Sequence, residues 1–542
     1  MAAEILSRQI SPVESFISSL RSPRPTVRIW ALTQIGKLSP SRAAEFQLDV
    51  QVADMLRDPD SSVQAQALLT LSKQGDRGAR HSNEIARKLS HPARAVKLAA
   101  LQALGDLGPS VASNALDVVA VMNHEDPAVA GGACSALGKM KVTSLADKLT
   151  SKLESSREVE VIIAVCNGLS HMDRRVDVVG RLLSHEQSSV KAAAAMALLG
   201  MTKAEEFLPD LTQLLSEADP CLRHNAASTM RSLGSFLPPQ KAALGALLKG
   251  APGVAAAAAY VLASLGPAAA DQAPALEALL NTTAEDSSAS LTATGAARSL
   301  PAGLRKPAVA AIEALGLSGA ADRAPRLLEL LKSPDAEVRL AAAEALGRLR
   351  AQSAVPALLL GLKDPSPAVI RACCSALGRM PSAETAASVA ELLKDPHPAV
   401  RAGAAEALAE MGDTQAFVAS IANLLDDKAP PVQVAALHAL ATCGEQGQLH
   451  AADVCRLAAQ GDDRTRVAAL QTLSRLGERG AAFALELEPL LDDSVPEVCS
   501  AARKTLEYFK TGKDAVPSLL SLPKVDELPA LDAPVTGVDQ SG

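Results

Sequence analysis

The chain repeats itself, and that property restricts its fold more than any other. The segments SPDAEVRLAAAEALGRL (333–349), DPSPAVIRACCSALGRM (364–380) and DPHPAVRAGAAEALAEM (395–411) share one template. Each has a turn, a β-branched anchor, and an Ala-rich run with Leu eight residues after the anchor. Upstream, DPDSSVQAQALLTLSKQG (58–75), HPARAVKLAALQALGDLG (91–108) and DPAVAGGACSALGKM (126–140) obey the same template. Anchors fall at 27, 63, 96, 129, 161, 190, 222, 254, 307, 338, 369, 400, 432, 465 and 498, spaced 29 to 36 residues apart except for one step of 53. A unit of that length buries its apolar stripe only against its neighbours, so the pattern specifies a stacked array.

The segment before each turn is also amphipathic. Residues 324–332 (APRLLELLK) and 386–394 (AASVAELLK) carry apolar residues at the 3.6-residue period of a helix. Pro209, Pro274, Pro325 and Pro356 suit the first helical turn, where the missing N–H has no partner to lose. Asp-Pro at 58–59, 364–365 and 395–396 ends one helix and sets up the next. Each unit is therefore expected to be a hairpin: helix A, tight turn, helix B, short link. Alanine in helix B favours the helix and lets neighbours approach closely.

The D-P-x-x-x-V-R…A-L-G pattern, running from about residue 12 to 510, resembles HEAT repeats of the short, phycobilin-lyase-like kind. The expected fold is all-α, a right-handed α-solenoid of about fifteen two-helix HEAT-like repeats. The expected organisation is a first block at 1–280 with about eight repeats, an irregular Ser/Thr-rich break at 281–303, a second block at 304–512 with about seven, and a Pro-rich acidic tail at 513–542. The tail's LPKVDELPAL core is a candidate docking motif. The resemblance further implies that basic residues just after the anchors (Arg28, Lys97, Lys191, Arg223, Arg339, Arg401 and Arg466) pair with turn aspartates of adjacent units, forming a structural ladder.

Function should sit on positions the repeat does not need. The sixth residue after the anchor is polar in twelve of fifteen units, which predicts a solvent-facing ridge; Leu69, Met196 and Tyr260 are the exceptions and candidate anchors for a partner. The tenth residue lies four further on the same side and leans basic, with Lys37, Lys73, Lys139, Arg348, Arg379 and Arg475 against Asp106 and Glu410. This ridge predicts attraction for an acidic peptide or tail. Lys37, Lys73 and Lys139 are its candidate contacts.

Enzyme readings meet specific obstacles. A deoxyhypusine-hydroxylase-like di-iron site needs His-Glu pairs on helix B just after the V-R, whereas His124-Glu125 and His185-Glu186 occupy the slot that Asp-Pro fills elsewhere. Only His224-Asn225 stands in the required place, and Asn replaces the carboxylate. A phycobilin-lyase-like chromophore cradle calls for clustered aromatics, but one Trp, two Tyr and seven Phe are dispersed over 542 residues. Tubulin-binding HEAT arrays are known for an exposed Trp in an early turn, while Trp30 lies three residues past an anchor, inside a B helix. No phosphate-binding loop, H-E-x-x-H or nucleophile elbow occurs. Cys373-Cys374 reads as packed thiols.

The expected function is thus a non-catalytic protein-interaction scaffold or adaptor that binds a partner along the helix-B face, with no cofactor and no metal. Sixty acidic against 53 basic residues give a net charge of −7, which offers no global attraction for nucleic acid. The densest apolar run, 254–265, is too short to span a membrane. Eight scattered Cys without C-x-x-C suit a reducing compartment. The amino terminus lacks a secretory pattern, so the expected location is cytoplasmic; its Ser and Arg leave organelle import open, against Glu4 and Glu14.

Overall fold

The computed structural model describes residues 12–38, 43–44, 46–281, 306–412, 415–493 and 495–511. The expected tail at 513–542, and all but the first residue of the expected break at 281–303, lie outside them. Among the described residues the structure is helical throughout, with no strand, and fifteen A–B hairpins follow one another from Pro12–Ser19 with Pro25–Ile35 to Ala484–Leu487 with Pro496–Thr511.

The turn chemistry explains the spacing of the pattern. Helix A commonly tightens into a 3₁₀ turn, as at Met55–Arg57 and Leu392–Lys394, and the chain then becomes extended. An acid five residues before the anchor accepts the backbone N–H two residues on: Asp60 N donates to Asp58 (2.9 Å), Ser366 N to Asp364 (2.8 Å), and Ala429 N to Asp427 (2.9 Å). Helix B then starts, often under an Asp cap; Asp60, Asp126, Asp219, Asp335 and Asp462 each accept from a first-turn N–H.

The A-L-G signature has a packing cause. Its Leu is fully buried in the core, as at Leu137, Leu346 and Leu377. Its Gly, nine residues after the anchor, meets the Ala seven residues after the next anchor. A Cβ on Gly347 would sit 2.6 Å from Ala376 Cα, and one on Gly316 would sit 2.8 Å from Ala345 Cα. Side chains are excluded there because the two backbones touch. Where position seven is Thr, the buried hydroxyl bonds across the same seam: Thr229 Oγ1 donates to Ala195 O (2.6 Å) and Thr505 Oγ1 to Leu470 O (3.1 Å).

Two compact units result. The first comprises Met1–Leu265 with Ala284–Arg305, and the second Gly266–Thr283 with Lys306–Gly542. Eight hairpins belong to the first and seven to the second. In the second, the A helix Ala273–Ala278 packs on the B helix Pro307–Leu317, which follows it in sequence after residues 282–305. Among the described residues, the run Pro252–Ala278 is apolar and long enough to cross a membrane. It is not one rod, however: Gly266 at φ 53° breaks it, and Ala255 to Ala259 are buried in the stack.

Candidate protein-binding surface

Where a basic residue follows the anchor, it commonly staples two turns. Arg401 Nη1 donates to Asp395 O of its own turn (2.8 Å), while Nε and Nη2 grip Asp427 of the next turn at 2.7 and 2.9 Å. Arg339 does the same with Ser333 O (2.9 Å) and Asp364 (2.7 and 2.8 Å). Arg28 joins Ser22 O to Asp58, Arg466 pairs with Asp493, and Lys191 Nζ reaches Glu217 at 2.7 Å. The hydrogen bonds from Arg339 hold the Asp364 carboxyl below its usual range. Burial pushes Asp427 upward, but Arg401 and the N–H of Ala429 outweigh it, leaving it lowered.

Two members differ. Lys97 Nζ lies 2.8 Å from His124 Nε2, because His124 stands where the acid would be. Arg223 donates to Glu217 O and Ala218 O of its own turn, at 2.6 and 2.9 Å, but finds Lys249 at the next acid position. The imidazoles of His91, His124 and His185 take over the turn carboxylate's role, each Nδ1 accepting the N–H two residues on at 3.0–3.1 Å. His124 and His185 are thus engaged in turns. His224 lies on its B helix with Nδ1 sealed and unpartnered, and burial lowers its affinity for a proton. Beside it, Asn225 Nδ2 donates to Ala192 O (3.1 Å). Among the described residues no three His, Cys, Asp or Glu side chains converge as metal ligands.

The sixth-position ridge differs from the sequence expectation. Gln102, Asn167, Met196 and Lys504 are exposed, but Glu313, Glu344, Ser375, Glu406, His438 and Gln471 are half-buried. The Gly-on-Ala seam draws adjacent B helices so close that these side chains lean on the neighbouring helix. His438 Nε2 is sealed without a partner, and burial together with the nearby Arg475 charge pushes the imidazole down to about 4.

The candidate contacts separate into free and engaged groups. Lys37 and Lys73 are exposed, with no ion-pair partner among the described residues. Lys139 is bound to Asp106 of the preceding repeat at 2.8 Å. Met196 stands 44% exposed, and Leu69 is half-buried. Tyr260 is covered: the Arg231 guanidinium sits 4.2 Å above its ring and donates to its carbonyl. Sequence reasoning passed over Leu199, 41% exposed at the end of the Met196 helix, where twelve of the fifteen repeats have Gly, Ala or Ser; that departure was the available signal. It also passed over Trp30 as a contact, although that ring is 49% exposed. Cys373 is buried and pushed up to about 12, and Cys374 beside it is raised further by burial. Cys221, by contrast, is exposed.

A family model described as HEAT repeats matches residues 146–231, 305–361 and 355–441. Among solved structures, importin beta in an ammonium sulfate condition superposes with a TM-score of 0.52 at 14% identity, covering 91% of this chain and 77% of that one. Kap95p, in a structure reporting its binding to RanGDP, gives 0.50 at 15% identity, covering 92% and 77%. At these identities the likeness is one of fold. No curated protein matches the sequence.

Proposed function

The chain is a HEAT-repeat solenoid, and on that premise we propose that it is a non-catalytic protein-binding scaffold whose partner lies along the B-helix ridge of the first unit. One observation carries this reading. Of the exposed large apolar side chains among the described residues, Trp30, Met196 and Leu199 lie on B helices of the first unit or at their ends, and none lies on a B helix of the second. Apolar groups left uncovered on one face of a stacked array are the usual mark of a contact surface. The unpaired Lys37 and Lys73 favour an acidic partner on that face. Six of the eight free thiols are buried, which suits a reducing compartment, and the cytoplasm is the proposed location.

Affinity capture with the full chain tests the reading. The M196D/L199D variant should lose its specifically bound protein at least tenfold, while L360D, on an A helix of the second unit, should retain it. Equal retention by both variants would contradict the proposal.

A further inference from the structure

The first repeat carries an unusual edge. In later repeats the residues three and seven after the anchor face the preceding B helix. Asn225 donates to Ala192 O, Thr70 Oγ1 donates to Leu32 O (3.1 Å), and a Cβ on Gly132 would sit 3.2 Å from Leu101. Position seven is accordingly Ala, Gly, Thr or Val in every later repeat. In the first repeat these positions hold Trp30 and Gln34, and no B helix precedes Pro25–Ile35 among the described residues. Trp30 meets Phe16 edge-on, with ring centroids 5.7 Å apart, and half of it stays open.

Cations stand on the same stripe. Lys37 follows Trp30 by seven residues, in the turn just past the end of the Pro25–Ile35 helix, about 10 Å further along its axis. Lys73, from the second repeat, lies across Gly36, the residue before Lys37, its Cδ 3.5 Å from where a Cβ would be. Leu69, one turn before Lys73, is half-buried. Two exposed ammonium groups on adjoining repeats, with no ion-pair partner among the described residues, attract a ligand carboxylate.

We propose that Trp30, Leu69, Lys37 and Lys73 form a docking site for an acidic peptide that sets one large apolar side chain on Trp30 and two carboxylates on the lysines. The distance along the helix corresponds to about three residues of extended chain, which fixes the ligand pattern as apolar-x-x-acidic-acidic. A polyanion such as single-stranded DNA is disfavoured, because two lysines on a protein of net charge −7 cannot neutralise a run of phosphates. The site deepens the scaffold reading and rests on it for the choice of face.

Trp30 is the only tryptophan, so its emission reports this site alone. The full chain is titrated with a synthetic decapeptide containing Phe-x-x-Glu-Glu, with versions carrying Phe→Ala or both Glu→Gln, and with ten-residue oligo-dT. The first peptide should give a saturable shift of emission to shorter wavelength, and each altered peptide should bind at least tenfold more weakly. K37E/K73E should weaken binding at least tenfold, and K332E, exposed on the second unit, should leave it unchanged. Both variants are melted alongside; equal Tm values assign the loss to the site. No shift up to millimolar peptide, equal binding of the Gln peptide, or a shift with oligo-dT would overturn the proposal. If the captured protein is lost in M196D/L199D while Trp30 never responds, the docking site fails and the scaffold reading stands; the reverse pattern separates them in the other direction.

Discussion

The two units are built from one template but differ in how strictly they keep it. In the second unit, anchors from 307 to 498 step by 31 to 33 residues, A-L-G recurs at 314–316, 345–347 and 376–378, and Arg339, Arg401 and Arg466 each grip an Asp of the next turn. The first unit steps by 29 to 36, carries A-L-G at 103–105 and 136–138, puts His at three of its turn-acid positions and Lys at another, and has Leu199 at a seam position that holds Gly, Ala or Ser in twelve of the fifteen repeats. The regular unit commits its polar and small residues to stacking. The irregular one leaves large apolar side chains uncovered on its B helices or at their ends, and those are the groups assigned to binding.

That contrast can be broken at several points, the largest at the seam. Gly347→Leu forces a side chain into the Ala376 backbone and should cost the second unit about 3 kcal/mol, read as a lowered urea midpoint. Leu199→Ala, at the equivalent place in the first unit, should cost less than about 1 kcal/mol because Leu199 is already partly open. Equal effects would erase the distinction.

Acid should also test the packing of one residue in the second unit. The His438 imidazole titrates near 4 in the fold against 6.5 as the ordinary value, so the unfolded chain takes up its proton first. The stability it preserves is complete above pH 6.5 and falls, by an order of 2 to 3 kcal/mol, as the pH drops towards 4. His438→Gln should flatten that slope, measured as Tm against pH, and an unchanged slope would refute the assignment.

The ladder gives a smaller test. Arg401→Ala strands a nearly enclosed Asp427 and should destabilise by about 2 kcal/mol. Arg94→Ala breaks an exposed pair with Asp126 and should leave the urea midpoint nearly unchanged. Smallest is the repair of the first unit: Lys249→Asp supplies Arg223 with its missing counter-charge and should raise stability by about 0.5–1 kcal/mol.

The hairpins and the ladder were legible because both follow from residues at fixed offsets within one repeat. The turn acid, the basic residue after the anchor and the A-L-G motif each have one geometric task, repeated often enough to read. The ridge was less legible because exposure depends on the neighbouring repeat. Tyr260 looks free until Arg231, 29 residues earlier, is seen to cover it. Glu344 and His438 look solvent-facing until the seam distance is known. Trp30 reads as a helix residue of no special kind until half of its ring is seen to lie open beside Phe16. The Ala273–Ala278 helix pairs across residues 282–305 with Pro307–Leu317, a contact that a single out-of-step spacing of 53 does not reveal.

Hydrogen–deuterium exchange of the full chain, with and without its captured protein, tests the central claim most directly. The account predicts added protection in the B helices of the first unit, Pro25–Ile35 and Ser188–Ala197 among them, with the second unit unchanged. Protection confined to A helices, or to the second unit, would contradict it.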